Sequence, residues 1–237
     1  MKTAPPSIHG RLDDVRERIA RAAERSGRDP GSVLLVAVVK TVPVEAIREA
    51  VGLGLTELGE SRVQESEGHV TALGRTAARW HMIGHLQRNK AGRALALFDR
   101  VHGVDSAELA QALSRRAVEA GRSLPVLVEV NVSREATKFG AAPERLPELL
   151  EQVAGLPGLV LDGLMTVGAP VERAEEARAG FARLRTLRDE GERRLGEKLP
   201  ELSMGMSGDY EVAVEEGATM VRVGSALFGD RSGPRRD

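Results

Sequence analysis

The chain contains no cysteine, which excludes a disulfide framework and leaves no need for an oxidising compartment. Aromatic residues make up only 3%. The core must therefore be built from Leu, Val, Ala and Met, and a stacking surface for nucleic-acid bases is not expected. Neither sign of charge prevails: 34 basic and 35 acidic residues give a formal net charge of -1. That balance argues against a nucleic-acid or anionic-membrane partner, since neither is held without a basic surplus. No run approaches the roughly 18 apolar residues of a membrane span. The opening Met1-Lys2-Thr3-Ala4-Pro5-Pro6 also lacks the apolar centre of a signal peptide. A soluble, cytoplasmic protein is expected. Missing too is the Gly-x-Gly-x-x-Gly turn of an open, doubly wound nucleotide-binding sheet.

What is present is a repeating pattern. Of the 237 residues, 41% are hydrophobic, enough for one large core or two small ones. Leu12, Val15, Ile19 and Ala22 recur three or four apart, which predicts an amphipathic helix over about residues 6–26, ended by Gly27. An alternation then begins and does not stop. Short β-branched runs predict strands at 33–39, 56–58, 79–83, 101–104, 126–132, 159–167, 202–204 and 220–223. Helical patterns lie between them at 44–53, 62–73, 87–98, 107–120, 143–154, 174–194 and 209–216. Strand and helix in alternation imply a parallel sheet, and eight such units in about 200 residues fit a closed (β/α)8 TIM barrel. The predicted organisation is an N-terminal helix packed on the barrel (1–30), a single α/β barrel domain (31–229) and a frayed polar tail (230–237).

In such a barrel the chemistry sits at the C-terminal strand ends. The polar residues at the predicted ends are Lys40, Gly59-Glu60-Ser61-Arg62, His81, Gly84-His85, Asp105, Asn131, Ser133, Met165-Thr166, Met206-Ser207, Arg222, Gly224 and Ser225. Lys40 closes the apolar run Leu34-Leu35-Val36-Ala37-Val38-Val39 and is followed by Thr41-Val42-Pro43. With its stem packed, a lysine there is poorly solvated, its pKa falls and its free amine can meet an aldehyde. A lysine that only snorkels to the surface is the other reading. Glycine-flanked backbone precedes helix starts at both Gly205-Met206-Ser207-Gly208 and Gly224-Ser225. Backbone N–H groups and serine hydroxyls in that setting bind phosphate, while turn glycines and a capping serine would explain each piece alone. Arg222 lies among apolar neighbours, where it needs a partner: a rim carboxylate, or a ligand's ring nitrogen or phosphate. An aldehyde-trapping lysine and a phosphate cradle on one rim suggest pyridoxal 5'-phosphate.

A set of motifs in order resembles a known family. They are residues 34–43 around the lysine, Gly59-Glu60-Ser61-Arg62-Val63-Gln64-Glu65, and Trp80-His81-Met82-Ile83-Gly84-His85-Leu86-Gln87-Arg88-Asn89-Lys90. They continue through residues 130–140, Gly163-Leu164-Met165-Thr166, Ser203-Met204-Gly205-Met206-Ser207-Gly208-Asp209 and 221–229. Together they resemble the pyridoxal phosphate homeostasis proteins (the YggS/PROSC family) over nearly the whole chain. The resemblance implies a fold-type III barrel, like the N-terminal domain of alanine racemase, holding pyridoxal 5'-phosphate (PLP) as a Schiff base on Lys40. It also implies phosphate contacts from Ser207, Gly224 and Ser225, and a contact from Arg222 on the ring or phosphate side. His81 and Met165 are further cofactor-binding candidates, though a hydrogen-bonding histidine and a core methionine explain them equally. Ser61 stands where the family has Asn, and Ser225, where it has Thr, keeps the hydroxyl.

The resemblance further implies a monomeric carrier or buffer of PLP in vitamin B6 homeostasis, with no established reaction and with PLP-dependent apo-enzymes as recipients. Racemases of this fold add a catalytic tyrosine from a second domain of a partner subunit. Only a short tail follows the eighth strand here, and Tyr210 adjoins the phosphate loop, where packing or capping is its expected role. The alternatives are a weakly active racemase-like enzyme and a regulatory interaction protein. Lys138, in a polar loop, either takes part in cofactor transfer or is simply solvated. His81 and His85 lack a third ligand at a supporting spacing, with His9, His69 and His102 elsewhere in the chain, so no metal is expected. The Glu/Arg-rich stretch 171–194 is expected to form a solvated outer helix face.

Overall fold

The protein is described by a computed structural model covering residues 7–135, 137–168 and 171–229. The strands are β1 (Leu34–Val38), β2 (Glu57–Glu60), β3 (Arg79–Met82), β4 (Arg100–Val104), β5 (Leu124–Glu129), β6 (Leu159–Met165), β7 (Glu201–Ser203) and β8 (Met220–Val223). They pair in sequence order, each parallel to its neighbours, and β8 closes onto β1. The helices are α1 (Ile8–Arg25), α2 (Val44–Gly52), α3 (Val63–Leu73), α4 (Ala91–Leu97), α5 (Ala107–Glu119), α6 (Leu146–Ala154), α7 (Arg178–Leu195), α8 (Tyr210–Glu215) and α9 (Ser225–Phe228). This is the expected (β/α)8 barrel with an additional N-terminal helix.

Period-two alternation sorts each strand into two faces. Ala37, Leu58, Trp80, Val101, Val128, Leu164, Leu202 and Val221 join the hydrophobic layer between the sheet and the helices. The alternate residues, among them Val36, His81, His102, Ser203 and Arg222, are buried outside that layer and fill the barrel. The outer layer is largely aliphatic, as the scarcity of aromatics requires, with Trp80, Phe98, Phe181 and Tyr210 as its bulky exceptions. Each fully buried Leu or Val contributes roughly 1.5–3 kcal/mol of transfer free energy, so this layer dominates stability.

Helix α1 starts at Ser7, whose hydroxyl accepts the N–H of Gly10 at 3.2 Å. It ends where Gly27 adopts φ +69° and Arg28 N–H returns to Ala23 O at 2.9 Å, a glycine-terminated cap. Leu12, Val15, Ile19, Ala22 and Ala23 form its buried face. The helix is tied to the last barrel unit by Arg11 Nε donating to Leu227 O (2.6 Å) and by the pair Arg25–Glu215 (2.7 Å).

Seven of the eight strands differ from the sequence reading by one to three residues at an end, and two of these ends bear on the site. β2 runs on to Glu60, because that carboxyl is buried and paired with His69 at 2.5 Å. β5 ends at Glu129, not at residue 132, because Val130 leaves the sheet to bridge Ala141 while its carbonyl accepts the Thr166 hydroxyl at 2.7 Å. The outer face of α7 is solvated and ion-paired, for example Arg194–Glu151 at 2.6 Å, as its charge pattern suggests. Among the described residues no helix is long and apolar enough to cross a membrane. The tail 230–237, expected to fray, lies outside the described residues.

Candidate functional site

Lys40 stands at the C-terminal end of β1, at the seam where the barrel closes. Register sets Val36 beside Arg222 and Ala37 beside Val223, so the lysine follows the level of Gly224 on the neighbouring strand. Val39 N–H still bonds Gly59 O (2.9 Å), and Val42 N–H then returns to Val39 O (3.0 Å). That turn leaves Lys40 and Thr41 exposed. The expected packed stem is therefore corrected: burial lapses after Val39 and resumes only at Val42, so the turn leaves the lysine uncovered. Thr41 holds φ +61°, a left-handed conformation that strains a β-branched residue by roughly 1–3 kcal/mol. Strain of this kind beside the one chemically suggestive amine is a local mark of function.

The two glycine-flanked loops meet as their sequences suggest. Backbone N–H groups of Gly224 and Ala226, at the start of α9, both donate to Ser207 Oγ, at 3.1 and 3.3 Å. Converging N–H groups at a helix start make a seat for an anionic oxygen, and Ser225 lies exposed between them. The β7 loop is pinned from below. Asp209 Oδ1 accepts Met206 N–H at 2.6 Å, and Gly205 O accepts Arg222 N–H at 2.9 Å. Gly205 has φ +90°, and a Cβ there would stand 2.5 Å from Ala213 Cβ, so only glycine lets α8 approach this turn.

Arg222 is 3% exposed inside the barrel. Its Nη1 donates to Ser203 Oγ (2.6 Å) and its Nη2 to Thr166 O (2.8 Å). Burial pulls its pKa down to about 10, opposed by the charges of Glu129 and Asp209, so the guanidinium keeps its proton at neutral pH. Of the two partners left open by the sequence, the rim carboxylate is not bonded: the arginine bonds a hydroxyl and a carbonyl, and Glu129 and Asp209 act on it through space. His81 is also deep. Its Nε2 meets Glu57 Oε2 at 2.6 Å and its Nδ1 meets His102 Nε2 at 2.9 Å. Both nitrogens are engaged inside the barrel, which is the hydrogen-bonding alternative for this residue. His102, distant in the chain, is its immediate neighbour and continues to Ser203 Oγ at 2.9 Å. Burial, aided by His81, Arg222 and Arg100, holds His102 well below the usual imidazole range.

Glu129 is the residue the sequence reading missed. It is 5% exposed at the end of β5, with Oε2 lacking a hydrogen-bond partner. Burial pushes its pKa up to about 7, against the pull of Arg222 and with Asp105 adding to the rise. Its signal was the alternation Leu127/Glu129, hidden by extending the strand to 132. Met165, fully buried, is its register partner on β6. The loop beyond β5 is organised by Asn131, whose Nδ2 donates to Glu135 O (2.8 Å) and whose Oδ1 accepts from Ser133 Oγ (3.2 Å). Lys138 is ion-paired to Glu135 at 2.9 Å and is largely covered, not simply solvated. His85 pairs with Asp105 (3.1 Å) and stacks on Phe139 at 3.9 Å between ring centres. Tyr210 is buried under α1, with Arg18 over its ring at 5.4 Å, so it packs against that helix. No group of three or more His, Cys, Asp or Glu among the described residues could hold a metal ion.

The chain is similar to several known proteins. The family model described as the alanine racemase N-terminal domain matches residues 11–232. A pyridoxal phosphate homeostasis protein of Aquifex aeolicus is 46% identical, over 93% of this chain and 97% of that one. The solved structure of PipY from Synechococcus elongatus with PLP bound is 39% identical, with a TM-score of 0.83, covering 94% of this chain and 100% of that one. Alanine racemase of Clostridium difficile, at 17% identity and a TM-score of 0.69, shares the fold over 93% of this chain and 60% of its own. By its sequence relatives and its barrel, the chain belongs to the pyridoxal phosphate homeostasis proteins, within the alanine racemase N-terminal domain family.

Proposed function

We propose that this protein binds PLP at the C-terminal mouth of the barrel and acts as its carrier or buffer in the cytoplasm. Lys40 would supply the amine for the cofactor's aldehyde. The N–H groups of Gly224 and Ala226, with the hydroxyls of Ser207 and Ser225, would hold its phosphate. Arg222 would be a further donor to it, and Met165 and His81 would be further contacts. The donor set fits the group: two backbone N–H groups already converge on one oxygen, at Ser207. An orphaned buried carboxyl oxygen, on Glu129, awaits a donor at the same mouth. When bound, the cofactor supplies a reactive aldehyde and an electron-withdrawing ring.

The observation that carries this reading is the placement of Lys40 and the N–H cradle on adjacent strand ends of one seam. The homeostasis relatives and the PLP-bound PipY neighbour support the choice of ligand. Carriage is favoured over catalysis by Tyr210, the sole tyrosine, which is buried against α1. It offers no proton to the mouth. We take the working form to be a monomer whose recipients are PLP-dependent apo-enzymes, with Lys138 available to take part in transfer once Glu135 releases it. A racemase-like enzyme of low activity is the competing reading, favoured by the shared barrel. Incubating the PLP-loaded protein with single amino acids in deuterated water separates the two. Carriage expects no sustained exchange at the α-carbon, whereas turnover that disappears in Lys40→Ala would overturn it.

A further inference from the structure

The barrel interior holds a chain of side chains that the proposed site does not by itself require. Arg222 contacts Ser203, Ser203 contacts His102, His102 contacts His81 and His81 contacts Glu57, at 2.6, 2.9, 2.9 and 2.6 Å. Five elements contribute one residue each: β8, β7, β4, β3 and β2. All five residues are buried, so bulk water cannot substitute for a lost partner.

Donor chemistry gives the chain a single direction. Arginine only donates, so Ser203 Oγ accepts from Arg222. At the far end a carboxylate at Glu57 only accepts, so a His81 ring with one proton carries it on Nε2. His81 Nδ1 is then bare and must accept from a proton on His102 Nε2. His102 Nδ1 is bare in turn, and the Ser203 hydroxyl donates to it. Ser203, His102 and His81 each give one hydrogen bond and receive one, between a buried cation at the mouth and a carboxylate near the opposite end.

We propose that Glu57, His81, His102 and Ser203 are positioning residues, forming a one-way hydrogen-bond relay that fixes Arg222 as a donor toward the mouth of the barrel. Its use for PLP rests on the function proposed above; the relay itself does not. The surrounding charges favour a neutral His102. Arg222 and Arg100 both bear on His102, and Arg100 is itself satisfied by Asp162 (2.8 Å) and Glu201 (3.3 Å). Arg79 lies 3.7 Å from Glu57, while the charges of Glu129 and Asp209 act on Arg222. A proton added to His81 would reverse the His81–His102 bond. His102 would then donate to a Ser203 oxygen already accepting from Arg222, and the serine hydrogen would lose its acceptor. The relay is intact only with both rings uncharged.

Nitrogen-15 NMR of the imidazoles in the unloaded full chain reads this directly. In neutral solution the relay expects each ring to carry a single proton, on Nε2. A proton on Nδ1 of either ring, or an imidazolium at neutral pH, overturns the relay. Ser203→Ala cuts the link to Arg222 and is expected to shift the His102 Nδ1 resonance and weaken PLP binding about tenfold, the scale of one lost hydrogen bond to a charged group. An affinity within twofold of the unaltered chain would refute the positioning role. If the unaltered chain takes up no PLP, the cofactor reading fails, while the tautomers still decide the relay. The same holds if the variant does not fold.

Discussion

Replacing Glu129 by glutamine should stabilise this protein in alkaline solution and leave it nearly unchanged in acid. The carboxyl is 5% exposed and one of its oxygens has no hydrogen-bond partner. Its pKa stands at about 7 in the folded chain, against an ordinary 4.5, chiefly because burial disfavours the charged form. Between those values the folded protein keeps a proton that the unfolded chain has released. Stability therefore falls as pH rises through that window, and the loss is complete above about 7. At about 1.36 kcal/mol per pKa unit, the penalty reaches about 3 kcal/mol. Glutamine keeps the shape and never ionises, so it removes the penalty. Urea unfolding of both proteins from pH 5 to 8 measures the effect. Glu60, Asp162 and Asp209, also raised by burial, cancel in the difference. The advantage of Glu129→Gln should grow from about 1 to about 3 kcal/mol across that range. A difference that does not change with pH would refute the reasoning. A bound ligand that donates to Glu129 should shrink it.

Three further outcomes are expected. Ser207→Ala removes the oxygen on which two N–H groups converge and one hydroxyl donor from the cradle. PLP affinity by equilibrium titration should fall about fivefold to tenfold, at about 1 kcal/mol of stability; an unchanged affinity would move the phosphate elsewhere. Thr41→Asn places a residue tolerant of left-handed backbone at φ +61°, and should raise the unfolding free energy by about 1 kcal/mol. A loss of stability there would show that the threonine makes a compensating contact. Gly205→Ala sets a methyl 2.5 Å from Ala213 on a left-handed backbone, and should cost about 2–3 kcal/mol with lost PLP binding. Near-neutral unfolding would mean that α8 can slide away.

The barrel was legible because short runs with buried apolar residues alternate with helical stretches, and the eighth strand was read to its limits, Met220–Val223. Lys40 and the Ser207 and Gly224 loops were legible because glycine and lysine at strand ends carry a chemical reason for being there. The polar interior was not. Glu57, His102 and Ser203 each sit at an alternate position of their strand, but alternation does not say which set faces inward. The shear that brings residue 81 beside 102 and 203 beside 222 is a property of closure, not of local sequence. Burial of Lys40 was misjudged because the hydrophobic run ends with the strand, and the strained turn at Thr41 has no signal in a residue type that normally avoids it.

The central claim is that Lys40 carries the cofactor's aldehyde carbon. Borohydride reduction of the PLP-loaded protein, followed by peptide mass mapping, tests it most directly. The account expects a stable phosphopyridoxyl adduct on Lys40, absent from Lys40→Ala. A principal adduct on Lys138 or another lysine, or no adduct from a protein that has bound PLP, would contradict it.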